Sequence, residues 1–223
     1  MMEGRYGAVE ADWISRLTTG DETRVTRAKL MAALPHMWLW IDSLVMPQPG
    51  APAAAGPSCA AGGAVQDHRA SASDLTADLT KATASIPSYV ERTDPLLVVA
   101  PPARHADTGQ TCSYGSWRDR GWCRLEYAAA NLAPAGTVRM LAVHGPAHRP
   151  DFLLPLDANF LRPGRGEFSC CAMGHDFGGG PDSVPCDKPK IRSVMERMLD
   201  KKVECLREAW RTFKMRYSVV MQD

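Results

Sequence analysis

The 223 residues contain no run of about 18 apolar residues, so no transmembrane helix is expected. The longest apolar stretch, residues 95–102, is short and reads as a buried strand. Net charge is nearly absent. Lys and Arg number 26 and Asp and Glu 25, a sum of +1. That balance excludes a nucleic-acid binder working through overall positive charge, though not a local basic patch. The first residues (MMEGRYGAVEADW) lack the apolar core of a secretory signal, and Gly is not second, as myristoylation would require. No internal repeat is evident. Gly178 to Gly180 lack the preceding strand and following Lys-Ser/Thr of a phosphate-binding loop. With no signal peptide, the seven cysteines (Cys59, Cys112, Cys123, Cys170, Cys171, Cys186 and Cys205) are expected as reduced thiols in the cytoplasm.

What is present reads as alternating helix and strand, and therefore as a layered α/β architecture. Residues 20–34 suggest a loop entering a helix capped by Asp21 or Thr23 and ended by Pro35. Residues 37–45 (MWLWIDSLV) suggest a buried strand with Asp42 near its C-terminal end. Residues 47–73 are Ala, Gly, Pro and Ser with almost no bulky apolar side chain. Such a segment buries too little surface to offset its ordering entropy, and it reads as a disordered insertion. Residues 74–93 form a second helical stretch in which Pro87 predicts a break or kink. Residues 96–100 (LLVVA) are continuously apolar, as in a parallel strand covered on both faces. A third helix is expected over 117–132 and another strand over 137–144.

Beyond residue 144 the chain reads as a loop-rich C-terminal extension ending in a long amphipathic helix, about 188–216. Ile191, Val194, Met195, Met198, Leu199, Val203, Leu206, Trp210 and Phe213 repeat there at steps of three and four. Asp187 is a candidate cap and Pro189 sits in the first turn. The opposite face carries more Lys and Arg than Asp and Glu. It suits a solvated face first, and an acidic partner or membrane surface second.

The densest chemistry lies in residues 113–126, SYGSWRDRGWCRLE. Trp122 and Glu126 share a helix face. Ligands of open α/β sheets sit beyond the carboxyl ends of strands, where Asp42 is expected. A carboxylate there could hold ribose hydroxyls or stabilise an oxocarbenium-like centre. Equally, Glu126 could simply pair with Arg120 or Arg124. Cys123 is a possible thiol nucleophile, since a helix start and nearby Arg residues lower a thiol pKa, with His105 or His144 as spatial partners.

Three segments resemble the TIR-type domain and its relative, the heterokaryon-incompatibility (HET) domain. GDETRVTRAKLMAAL is similar to the TIR segment between first strand and first helix. WLWIDSLVMPQ resembles the HET run of Trp-Ile-Asp, a small residue, Leu and a later Gln. SIPSYVERTDPLLVVAPP followed by SWRDRGWCRLE resembles the TIR order of helix, apolar strand, then Ser-x-Trp-Cys with a Glu four residues after that Trp. The likeness covers roughly residues 20–132. It implies a flavodoxin-like parallel sheet flanked by helices over residues 11–144, followed by the extension 145–223. It further implies NAD⁺ as candidate substrate, cleaved at the nicotinamide–ribose bond without a metal, with Glu126 as the catalytic residue. Trp122 would then shape the pocket, and Asp42 and Ser43 would contact ribose or an ordered water. The resemblance fits equally a non-catalytic module that self-associates. No first strand with a nucleotide-binding loop is clear, and the segment after His144 does not follow the TIR pattern.

A third reading is a thiol or zinc protein. Cys170, Cys171, His175 and Cys186 cluster in sequence, and Cys171 with His175 is acceptable ligand spacing. Adjacent cysteines make a poor chelate pair, however, so buried structural thiols are preferred and no resident metal or cofactor is expected.

Overall fold

A computed structural model of the chain describes residues 7–11, 13–20, 22–41, 72–106, 108–175 and 185–220. They belong to two compact units, Trp38–Ile86 in one and Met1–Met37 with Pro87–Asp223 in the other.

Strand β1 (Ala8–Glu10), helix α1 (Trp13–Thr19) and strand β2 (Arg24–Thr26) open the larger unit. The strands pair antiparallel, with Ala8 opposite Thr26. Glu10 ties the three elements through Arg16 at 2.9 Å and Arg24 at 3.1 Å. Helix α2 (Arg27–Ala33) begins only after β2. Its cap is Thr26, whose hydroxyl accepts from the Lys29 N–H at 3.2 Å, rather than Asp21 or Thr23. Strand β2, with β-branched Val25 and Thr26, pairs with β1 instead of joining the helix, so the expected 20–34 element is split. Pro35 lies in a short 3₁₀ turn, Leu34–His36.

The strand expected over 37–45 is not formed at 37–41, which have no regular structure and leave Trp38 almost wholly exposed. Its remaining residues, Asp42 and Ser43 among them, lie outside the described residues, as does the insertion up to residue 71. Helix α3 (Ala72–Val90) then runs through Pro87 without ending there. The expected break is therefore absent. Pro removes one donor from the helix, and the hydroxyls of Thr83 and Ser85 bond back to Thr80 and Ala82 in the turn before it.

Strand β3 (Leu96–Val99) follows, then the short antiparallel pair β4 (Ala103–Arg104) and β5 (Thr111–Cys112). Helix α4 (Tyr114–Asp119) and helix α5 (Gly121–Leu132) replace the single helix expected at 117–132. The interruption at Arg120 has a tertiary cause. Arg120 is extended and bridges Glu167, whose N–H donates to Asp119 while the Gly121 N–H donates to the Glu167 carbonyl. Strand β6 (Met140–Val143) runs parallel to β3, with Leu96 opposite Met140, and β7 (Asp151–Phe152) pairs antiparallel on the other side of β6. The sheet order is β3-β6-β7. The chain is thus mixed α/β, with one parallel pair among the described strands of this sheet.

β3 differs from a strand covered on both faces. Val98 is 4% exposed, whereas Val99 is 68% exposed. At the edge of the described sheet, it buries one side only, despite its unbroken apolar sequence. The core gathers instead on α5, where Leu125 and Ala130 are fully buried and Tyr127 nearly so. Short 3₁₀ turns at Pro155–Asn159 and Pro163–Arg165 lead to helix α6 (Ser169–Ala172) and to the long helix α7 (Asp187–Val220). Ile191, Val194 and Met198 of α7 are buried. Among the described residues no helix is long and apolar enough to cross a membrane.

Candidate functional site

Helix α5, which carries the GWCRLE half of the motif, is held from both ends. At its start, the Trp122 indole N–H donates to the Asp187 carboxylate at 3.1 Å, and Lys190 meets the same carboxylate at 2.9 Å. At its end, Lys202 donates to the Ala133 carbonyl at 2.7 Å, satisfying a terminal acceptor of α5 with a cation. α5 and the first half of α7 therefore run side by side in the same direction. Lys201 adds a pair to Glu91, at 2.8 Å.

Two glycines allow α5 to start so close to the neighbouring loop. A Cβ on Gly121 would overlap the Phe168 ring, and one on Gly166 would overlap the Gly121 backbone. Arg124 staples the junction by donating to the Arg118 carbonyl at 2.6 Å and meeting Asp119 at 3.3 Å.

The residues singled out from sequence fall as follows. Glu126 is half-buried on α5, between the two parallel strands in chain order, and is partnered. Trp122 spends its one donor on Asp187. Cys123 is 6% exposed in the core. His144 turns to Asp151, at 3.0 Å, and packs edge-on against Tyr114 at 5.1 Å. Asp42 and Ser43 lie outside the described residues. Asp151 and Tyr114, which join His144 at the carboxyl end of β6, were not singled out from sequence. The only signal was a strand ending in His, followed seven residues later by Asp. Burial pushes the Tyr114 phenol up to about 12, and burial pushes Tyr127 up as well, its hydroxyl donating to the Leu154 carbonyl.

Of the four weaker candidates, in contrast, Cys170, His175 and Cys186 are brought together, with Cys171 against Cys186. Cys170 is buried in α6, and Gly174 and His175 both take left-handed backbone, φ 60° and 62°. That conformation is uncommon for a residue other than Gly. It folds the chain back so that the His175 N–H donates to the Cys170 carbonyl at 2.7 Å and the Gly174 N–H to the Cys171 carbonyl at 3.1 Å. Cys186 arrives from the start of α7. Ligand atoms of Cys170, His175 and Cys186 lie within 4.8 Å of one another, and the Cys171 and Cys186 sulfurs are 3.8 Å apart. The backbone N–H of Lys188 lowers the Cys186 thiol pKa, whereas desolvation raises that of Cys171. The Asp187 N–H donates to the Cys170 sulfur at 3.5 Å. His175 Nδ1 is buried with no hydrogen-bond partner among the described residues.

Elsewhere, a hollow of about 310 Å³ is lined by Glu10, Ala11, Arg16, Arg149, Pro150 and Asp151. Arg16 pairs with Glu10, and Arg149 donates to the Ala8 carbonyl at 2.7 Å.

No family model, curated protein or solved structure matches the chain.

Proposed function

We propose that the protein is a self-associating interaction module and that the second half of α7 is its contact surface. The supporting observation is a seam. Past Lys202, Val203, Leu206, Trp210 and Phe213 are 42–64% exposed, and with Leu199 they are spaced four, three, four, three. Steps of three and four also place Ile191, Val194 and Met198 against the body, where they are buried; past Lys202 the same kind of stripe continues but is left in solvent, as a surface awaiting a second helix would be. Solvating two large aromatics and three aliphatics along one stripe is unfavourable, and burial would recover about 25 cal/mol per Å². The occupant that fits is a second copy of α7 running antiparallel. Val203 then faces Leu206 of the second copy, Leu199 faces Trp210, and Asp200 lies beside Arg207, each relation occurring twice by symmetry. A parallel pair would instead set Lys202 beside Arg207. Sedimentation equilibrium of the full chain tests this. Dimer is expected for the wild type and monomer for Leu206→Glu. A wild type that stays monomeric at high concentration would overturn the proposal.

The TIR/HET-like reading, NAD⁺ cleavage with Glu126 as the carboxylate, is a second proposal. It is favoured by one observation, that Glu126 rides on the helix connecting parallel strands β3 and β6. Nicotinamide release from NAD⁺, abolished by Glu126→Ala, is the expected outcome. Release that survives the substitution would refute the assignment.

A further inference from the structure

The geometry points to a zinc site formed by Cys170, Cys171, His175 and Cys186, which clips α6 to the start of α7. The argument rests on distances. Two thiolates each about 2.3 Å from a tetrahedral zinc lie about 3.8 Å from one another. The Cys171 and Cys186 sulfurs are 3.8 Å apart. That is far beyond a disulfide, at about 2.05 Å, and equals a tetrahedral edge. Ligand atoms of Cys170, His175 and Cys186 approach one another within 4.8 Å, which admits one ion among them with modest closure.

Two further observations concern the histidine. Its Nδ1 is buried without a partner among the described residues, an arrangement that costs free energy unless something else occupies the lone pair. Its backbone stands at φ 62°, a strain that places the ring beside the sulfurs. Zinc bound through Nδ1 explains both. The surroundings also suit a thiolate. The Asp187 N–H points at the Cys170 sulfur, a contact of the kind that orients and stabilises metal-bound ligands.

Four protein ligands make the site closed and structural rather than catalytic. Binding exchanges three thiol protons for one Zn²⁺, the imidazole entering as its neutral form, so the centre carries a net charge of −1. Affinity consequently falls as pH falls. The centre would fix the α7 start, where Asp187 receives Trp122, and is independent of the self-association proposed above.

The full chain, purified without chelator, is analysed for metal and then reconstituted with Co²⁺. The expected results are about one zinc per chain and intense tetrahedral d–d bands with thiolate-to-cobalt charge transfer. Chelation should lower Tm by on the order of 10 °C. His175→Ala and Cys186→Ser should each lose the stoichiometric ion, and His175→Cys, which keeps four ligands, should retain it with a stronger charge-transfer band. Should the first two variants fail to fold, the His175→Cys spectrum and chelation of the wild type still decide. Metal-free protein that takes up no cobalt would overturn the site. So would zinc retained by both His175→Ala and Cys186→Ser, or a Cys171–Cys186 disulfide in the protein as isolated.

Discussion

Charge exchange along α7 tests the antiparallel arrangement more sharply than disruption of its apolar seam. In that arrangement Asp200 of each copy sits beside Arg207 of the other, giving two equivalent pairs. Both side chains lie on exposed helix surface. An exposed pair contributes roughly 0.5 kcal/mol. Asp200→Arg converts both attractive pairs to repulsive ones, a change of about 1 kcal/mol each and about 2 kcal/mol in total. The dimer dissociation constant should rise about thirtyfold. Arg207→Asp should weaken association comparably, by setting Asp beside Asp. Combining the two substitutions restores opposite charges with the roles reversed, and affinity should return to within about threefold of wild type. The assay is sedimentation equilibrium at low ionic strength, repeated in about 0.5 M salt, where the single-variant effects should shrink. A double variant no better than either single would refute the register. Single variants that associate like wild type at low salt would refute it too.

Gly121→Ala should lower unfolding free energy by about 1–3 kcal/mol, because the new methyl meets the Phe168 ring; urea denaturation measures it, and an unchanged midpoint would show that the ring moves freely aside. Trp122→Phe removes the indole N–H from Asp187 while leaving Lys190 in place, so Tm should fall by only about 3–5 °C in a calorimetric scan. Tyr114 has its folded pKa pushed up to about 12 against about 10 unfolded. The folded state then holds the proton longer, so stability is intact below pH 10 and declines as pH rises from 10 towards 12. Denaturation midpoints across that window should fall less steeply in Tyr114→Phe, with the Tyr127 phenol, also raised, accounting for part of the remaining slope.

Periodicity made α7 legible. Expected at 188–216 and found at 187–220, it has its apolar steps, Asp187 and Pro189 all in the sequence itself. Strands β3 and β6 were legible from their apolar composition, but not the exposure of Val99, because whether a strand is central or at an edge depends on distant partners. The division between α4 and α5 was illegible for a similar reason: it rests on Glu167, 47 residues beyond Arg120. The approach of Cys170, His175 and Cys186 to one another was not legible from spacing. Ligand-spacing rules treat the chain between ligands as a simple loop, whereas here two consecutive left-handed residues reverse it and Cys186 arrives from another element. For the Trp122–Glu126 face the sequence supplied identity without surroundings. That Trp122 serves Asp187 follows only from where α7 begins.

The two pins on α7 have a mechanical consequence. Asp187 and Lys202 both meet α5, fifteen residues apart. An α-helix advances 1.5 Å and turns 100° with each residue. A slide by one residue would therefore swing both side chains away from their partners together, and a slide by a whole turn would carry each about 5.4 Å past its own. No intermediate position keeps one pin and loses the other. α7 is indexed against the body like a toothed rack, so a slide along its own axis breaks both contacts at once rather than one after the other.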